Sequence, residues 1–437
     1  MLTSIKLFLQ GKEIFSKGLL SLALKIFGSF FGYIFLWLVT NSLGASAWGE
    51  YVIFLAILNI SSIFSRLGVD KLALKLVAAN NSNMAEVRKI YFSSLKLILM
   101  ISIITSLLIF VISHVISTCI IDLNSFLSPI QMVVVILPFF SLICLNENTL
   151  RGLKMIKDFA FFQRTAKMLF SAGFFLLLFY GLQFSVPALV VYSYLLALFL
   201  IFFLSSFRVL NVMKVKFIEK GNSLKYKDIL KQSMPMMISS SVLLLMTWSD
   251  SLMIGSFSGK HEVGVYNVAV KVALFTTLTL SAVNSIVAPK LSESFNNNRN
   301  SEFKDIIRYS TRLIFFSTIP ILLLIFLFPE FILSLFGAEF VIAKLALIIL
   351  TVSQAVNALS GSVGTILNMT GKQKVYGSIL LISLILNIVL NYILIPSYGI
   401  NGAAVASACS LIFWNLYSVY YIYKQYNVLT IVSFKIK

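Results

Sequence analysis

Lys25, Asp250 and Lys271 each place a full charge inside a long run of apolar residues. A charge at the centre of a bilayer costs about 2.5–3.5 kcal/mol on insertion scales, so one that persists there faces a partner, a wet cavity or the headgroup layer. Lys25 stands between Leu24 and Ile26, and Gly28, Ser29 and Gly32 share its face at helical spacing. A cation on such a small polar face suits an anion in a cavity; equally, its stem can snorkel to nearby headgroups. Asp250 closes the string Thr247-Trp248-Ser249-Asp250, and Lys271 follows Asn267 by one turn. The two charges lie at similar depth, which predicts an ion pair between Asp250 and Lys271. A fixed pair neutralises both charges. A pair that breaks and reforms belongs to a transport cycle, in which Lys271 can meet a substrate phosphate. Arg66 and Asp70, in Ser65-Arg66-Leu67-Gly68-Val69-Asp70, end one run near the inner surface, and Glu147 and Arg151 end another. Charges there anchor helices or serve in gating and binding. Lys344, near an outer end, is expected to snorkel.

Other chemistries lack their residues. Cys119, Cys144 and Cys409 lie far apart, and so do His114 and His261, so no metal-ligand spacing exists and no metal or cofactor is expected. There is no GxxxxGK[ST] loop for a nucleotide triphosphate. No acidic pair or Ser/His/Asp set shares one solvent-reachable loop. The net charge of +19, from 35 Lys+Arg against 16 Asp+Glu, would suggest nucleic acid in a soluble protein. In a membrane protein it has a blander cause, because cytoplasmic loops collect Lys and Arg, and no nucleic-acid partner is expected.

The elements that must position these charges follow from composition. The chain is 59% hydrophobic, only 12% charged, and has a mean hydropathy of +0.95. Such a chain can cover a lipid-facing surface but not an aqueous one. A membrane-crossing helix needs roughly 20 apolar residues, and about twelve such runs lie between 18–40 and 402–423. The first is too long for a signal-peptide core of about 7–15 residues, so it reads as an uncleaved helix. With the N-terminus inside, alternating segments place every Lys and Arg on the inner side except Lys25, Lys260, Lys271 and Lys344. That bias predicts cytoplasmic N- and C-termini. The expected fold is all-α and polytopic: a six-helix lobe over 1–207, a cytoplasmic linker over 208–232, and a second six-helix lobe over 233–437, around a central cavity. Short echoes support two parallel repeats: Gly49-Glu50-Tyr51 with Gly264-Val265-Tyr266, and Tyr180-Gly181-Leu182 with Tyr398-Gly399-Ile400. Asn284, Gln354, Asn357, Asn368, Asn387 and Asn391 add amides within the runs, and Pro138, Pro235 and Pro320 predict kinks.

Several segments resemble the polysaccharide-exporter branch of the superfamily that also holds the multidrug extruders. The strongest runs from Asn387 through Asn391, Pro396, Gly399 and Gly402 to Ala406. Thr370-Gly371-Lys372-Gln373-Lys374, Asp250 with Gly255, the set Gly264, Tyr266, Asn267, Ala269 and Lys271, and the Arg66, Gly68, Asp70 corner also fit. The resemblance implies a flippase that carries an undecaprenyl-diphosphate-linked oligosaccharide across the bacterial inner membrane by alternating access. Its partners would be that lipid-linked oligosaccharide, membrane lipids and other polysaccharide assembly proteins. Lys25, Arg66, Asp70, Asp250, Asn267 and Lys271 are the candidate transport residues. Multidrug extruders often carry an acidic residue in the first helix, where this chain has Lys25. A cation-coupled multidrug antiporter, with Asp250 as its essential carboxylate, is the alternative. A membrane glycan polymerase or ligase would need a sizeable outer loop, and the outer loops here are short.

Overall fold

A computed structural model describes residues 2–119, 124–214 and 226–431, with side chains from Phe27 onward except over 114–128 and 238–240. Every regular element among the described residues is helical. The chain packs as two units. The first holds the residues up to Leu43 together with Glu50–Leu244, and the second holds Gly44–Gly49 together with the chain from Leu245 onward.

The first unit is built from α1 (Leu2–Arg66, less its middle), α2 (Val69–Ala79), α3 (Met84–Cys119) and α4 (Asn124–Gly152). It continues through α5 (Ile156–Ala160), α6 (Ala166–Leu176), α7 (Leu189–Val212) and the start of α8 (Tyr226–Ser258). Phe35, Phe54, Tyr91 and Phe175 are fully enclosed. Phe35 meets Tyr51 and Phe175 edge-on, at ring separations of 5.6 and 6.2 Å, as aromatic quadrupoles prefer. Polar pairs tie the helices where lipid offers no hydrophobic drive. Tyr91 donates to Asn146 Oδ1 at 2.7 Å, and the Asn146 amide donates to Ser205 and Ser206 at 3.0 Å, joining α3, α4 and α7. The turn from α1 to α2 requires Gly68. Its φ is 76°, and a Cβ there would run into the Ser233 carbonyl and the Met237 amide.

The second unit holds the end of α8, α9 (Lys260–Leu274), α10 (Thr277–Asn296), α11 (Asn300–Leu327), α12 (Pro329–Ser334), α13 (Lys344–Ser360), α14 (Val363–Met369) and α15 (Gln373–Tyr426). A single turn of 3-10 helix, Ala338–Ala343, leads into α13. Leu291, Ile307, Ile314, Ile366 and Ile422 form one buried apolar cluster. The repeated glycines meet here. A Cβ on Gly49 would strike the Lys260 carbonyl, and one on Gly264 would strike the Ala45 carbonyl. Two backbones therefore cross in direct contact, which only glycine allows.

Seven helices among the described residues are long and apolar enough to cross a membrane, and nine if two bent pairs each make one crossing. This is an all-α, multi-pass membrane protein. Twelve separate crossings are not seen among the described residues, and two of the long helices carry a break at a glycine. Phe27–Arg66 passes through Gly44 (φ 79°) and Gln373–Tyr426 through Gly399 (φ 53°). The 54-residue α15 would reach about 80 Å if straight, against an apolar layer of about 30 Å. The break at Gly399 therefore divides it into two membrane-length legs. α3 turns Ile103, Ile104, Leu107 and Leu108 outward, a face that suits acyl chains and not water.

Candidate functional site

Asp250 is 7% exposed and lies in the last third of α8. Its carboxylate is the centre of a polar cluster in the second unit. Asn387 and Asn391, one turn apart in the first leg of α15, donate to Oδ1 at 3.1 and 2.6 Å. Tyr266 of α9 donates to Oδ2 at 3.0 Å, and Ser407 of the second leg of α15 donates to the same oxygen. Around them, Ser249 donates to Asn387 Oδ1 at 2.9 Å, and Asn391 Nδ2 also reaches that oxygen at 3.2 Å. Asn391 Oδ1 is buried and accepts no bond among the described residues.

The expected ion pair between Asp250 and Lys271 does not form. Among the described residues every bond Asp250 accepts comes from a neutral side chain. The physical reason is helical phase. Tyr266 faces Asp250, and Lys271, five residues on, points roughly 140° away around the same helix. Lys271 instead holds its ammonium 5.2 Å from the centre of the Trp48 ring, a cation–π distance. Trp48 is 1% exposed and donates its indole N–H to Asn267 Oδ1 at 3.1 Å. Asn267 and Lys271, four residues apart, thus share a face that grips the Gly44–Gly49 segment.

The first unit holds a second charged group. Arg66 Nη1 meets Asp70 Oδ2 at 3.0 Å, and Asn148 of α4 donates to the same oxygen at 2.9 Å. Arg66 also donates from Nε to the Ser62 carbonyl and from Nη2 to the Ser62 hydroxyl. Among the described residues three of the five guanidinium N–H groups are thereby used, which leaves two for another acceptor. Arg66, Asp70 and Lys71 line a cavity of about 170 Å³ with Ser62, Gly68 and Met237. Beside them, Glu147 and Lys167 form a buried ion pair at 2.8 Å, and Lys167 lies 5.2 Å from the Phe140 ring. The sequence reading set Lys167 among the inner-side cations and Glu147 at a helix end. Both are enclosed by the first unit. Lys25 lies outside the residues whose side chains are described.

What these sites can do follows from their donors. The Asp250 cluster offers oxygen acceptors, among them a carboxylate and an amide oxygen that has no partner among the described residues. That set suits a proton or a hard monovalent cation. Among the described residues no three His, Cys, Asp or Glu side chains gather for a transition metal. The Arg66 cavity offers guanidinium and ammonium groups, which suit phosphate oxygens.

A family model described as polysaccharide biosynthesis protein matches residues 15–295, well over half of the chain. The chain belongs to the polysaccharide biosynthesis protein family. The MatE model matches residues 235–393 as well, the stretch that supplies Asp250, Tyr266, Asn387 and Asn391. Among curated relatives, a probable low-salt glycan biosynthesis flippase of Haloferax volcanii is 34% identical over 38% of this chain and 35% of its own length. The capsular polysaccharide biosynthesis protein CapF of Staphylococcus aureus is 29% identical over 48% of this chain and 53% of its own length. The match therefore spans only about a third to a half of those relatives. The lipid II flippase MurJ, in an inward closed conformation, superposes with a TM-score of 0.70 at 17% identity, over 95% of this chain and 87% of that one. At that identity the likeness is one of fold.

In this polysaccharide biosynthesis protein, Ser407, Asn148 and Lys167 are site neighbours that the sequence reading missed. Ser407 carries no charge and sits in an Ala-rich stretch. Lys167 had a legible signal: it falls within the apolar run 163–181, where a cation calls for a partner.

Proposed function

We propose that this polysaccharide biosynthesis protein is a flippase and not an enzyme. It moves an undecaprenyl-diphosphate-linked oligosaccharide across the bacterial cytoplasmic membrane by alternating access of two lobes, with both termini on the cytoplasmic side. The observation that carries this reading is the cavity lined by Arg66 and Lys71. Two cations against one carboxylate, with two guanidinium N–H groups unused among the described residues, favour a doubly anionic headgroup. A cationic drug would meet repulsion there. The Lys271 ammonium adds a further positive centre in the second unit. The named flippase and capsule-synthesis relatives support the same class of substrate. Membrane lipids surround the exposed apolar faces, and other polysaccharide assembly proteins would supply and consume the carried lipid.

In this reading Asp250 supplies the coupling. A proton or monovalent cation entering the cluster would be held by the carboxylate and the spare Asn391 oxygen. Because Asn387, Asn391 and Ser407 come from both legs of α15, its entry or exit would change how those legs pack against α8 and α9.

The test is surface polysaccharide in a deletion strain, with the lipid-linked repeat unit followed in spheroplasts. Loss of surface glycan with accumulation of the complete repeat unit on the cytoplasmic side is expected. Lys25→Ala and Lys271→Ala should fail to restore export while remaining in the membrane. Unchanged glycan export in the deletion strain would refute the flippase reading. The MatE match and the Asp250 carboxylate favour one second reading, cation-coupled efflux of small molecules. Resistance to cationic compounds that rises on overexpression and falls with Asp250→Asn would establish it instead.

A further inference from the structure

α1 breaks at Gly44, and the Gly44–Gly49 segment that starts at this break is held within the second unit. Trp48 and Gly49 grip it at one end, through Asn267 and the Gly264 crossing. At the other end the Ala45 amide donates to Glu339 Oε1 at 2.7 Å. Gly44 lets the carboxylate come this close, since its φ is 79° and a Cβ there would stand 2.8 Å from the same oxygen. The other oxygen of Glu339 is 3.2 Å from Nε2 of His261, and Nδ1 of His261 is 3.4 Å from Glu262 Oε1. His261 therefore stands between two carboxylates, and one of them holds the backbone of the segment.

A neutral imidazole has one N–H and can donate to one of the two carboxylates. An imidazolium donates to both. Both ring nitrogens of His261 face carboxylate oxygens, so only a protonated ring can donate to both at once. The remaining charges on the elements packed here are the buried Glu50 of α1, Lys260 and Lys271 of α9, and Glu330 of α12 paired with Lys344 of α13 at 2.7 Å. Histidine is the side-chain type whose charge ordinarily changes between about pH 5 and 8.

We propose that His261 is a proton-binding site that locks the Gly44–Gly49 segment. Proton uptake ties Glu262, Glu339 and the Ala45 amide into one knot. Proton loss leaves two neighbouring carboxylates with one N–H between them and loosens the hold on Ala45. The knot is separate from the Asp250 cluster and does not depend on what is transported. The three loops it joins are all outer-side loops by the charge pattern, so in a cell the site would sense external pH. That last step rests on the proposed orientation, and the test does not.

The experiment is hydrogen–deuterium exchange by mass spectrometry on the full chain in lipid nanodiscs, where both faces meet the same buffer. Wild type and His261→Gln are compared at about pH 5.5 and about pH 8.5, values that bracket histidine titration. Taking the ratio of the two proteins at each pH cancels the intrinsic pH dependence of exchange. The peptide spanning residues 44–49 should exchange about two- to fivefold faster in His261→Gln at the acid pH, the range an exposed ion pair gives, and equally in both proteins at the alkaline pH. His261→Lys, a fixed cation at an exposed position, should stay protected at both. A ratio that does not change with pH would overturn the proposal. So would a segment that exchanges without protection in every protein.

Discussion

Replacing Asp250 separates a structural carboxylate from a coupling one. Its two oxygens accept four hydrogen bonds, two at each, all from neutral groups. Asp250→Ala leaves four buried donors without an acceptor. At about 1–3 kcal/mol for each unmet buried group the gross cost is about 4–12 kcal/mol. At the mean of about 0.6 kcal/mol measured for hydrogen bonds between membrane helices it is about 2–3 kcal/mol. Asp250→Asn is different. Its carbonyl can keep Asn387 and Asn391, and its amide can donate to Tyr266 and Ser407, whose hydroxyls can turn and accept. Charge-assisted bonds become ordinary ones, at a loss of about 1 kcal/mol each. The penalty for burying a charge, several kcal/mol, is removed at the same time. The net change for Asp250→Asn is therefore about zero, within about 2 kcal/mol, while Asp250→Ala is destabilised. The assay pairs thermal unfolding of the purified protein, followed by size-exclusion fluorescence, with surface-glycan gels from complemented deletion cells. Asp250→Asn should unfold near the wild-type temperature yet fail to restore glycan. If it unfolds as early as Asp250→Ala, the carboxylate is structural. If it restores full export, Asp250 does not couple transport.

Three further outcomes are expected. Lys167→Met should destabilise the protein by about 3–5 kcal/mol, because it leaves Glu147 buried and unpaired. Adding Glu147→Gln should recover much of that loss in a double-mutant cycle of thermal stability. Gly264→Ala should cost about 1–3 kcal/mol by overpacking the crossing with Ala45 and Gly49. Combining it with Gly49→Ala should cost less than the sum of the two in the same melt, since either change alone forces the backbones apart. Lys271→Ala should remove surface glycan without removing protein from the membrane, as checked by immunoblot of membrane fractions.

Composition and hydropathy determine that this chain is helical and crosses a membrane many times, because a sequence 59% hydrophobic and 12% charged has no other stable surface. Spacing also marks Asp250, Lys271, Arg66 and Asp70 as residues that need partners, since isolated charge in an apolar run is costly. Arg66 and Asp70 find each other because they are four residues apart across a short turn, a separation that sequence can read. Asp250 and Lys271 do not, although depth alone made them plausible partners. Depth fixes only one coordinate of a residue on a helix, and the phase of α9 gives Tyr266 the position facing Asp250. Tertiary structure alone brings Asn387, Asn391 and Ser407 around that carboxylate, because the break at Gly399 folds the two legs of α15 onto one group. It alone buries the pair Glu147 and Lys167. It alone sets His261 between Glu262 and Glu339, since the contact with Glu339 spans 78 positions of sequence. Local pattern decides what a segment is and how much its charges cost; the crossing of helices decides which groups meet that cost.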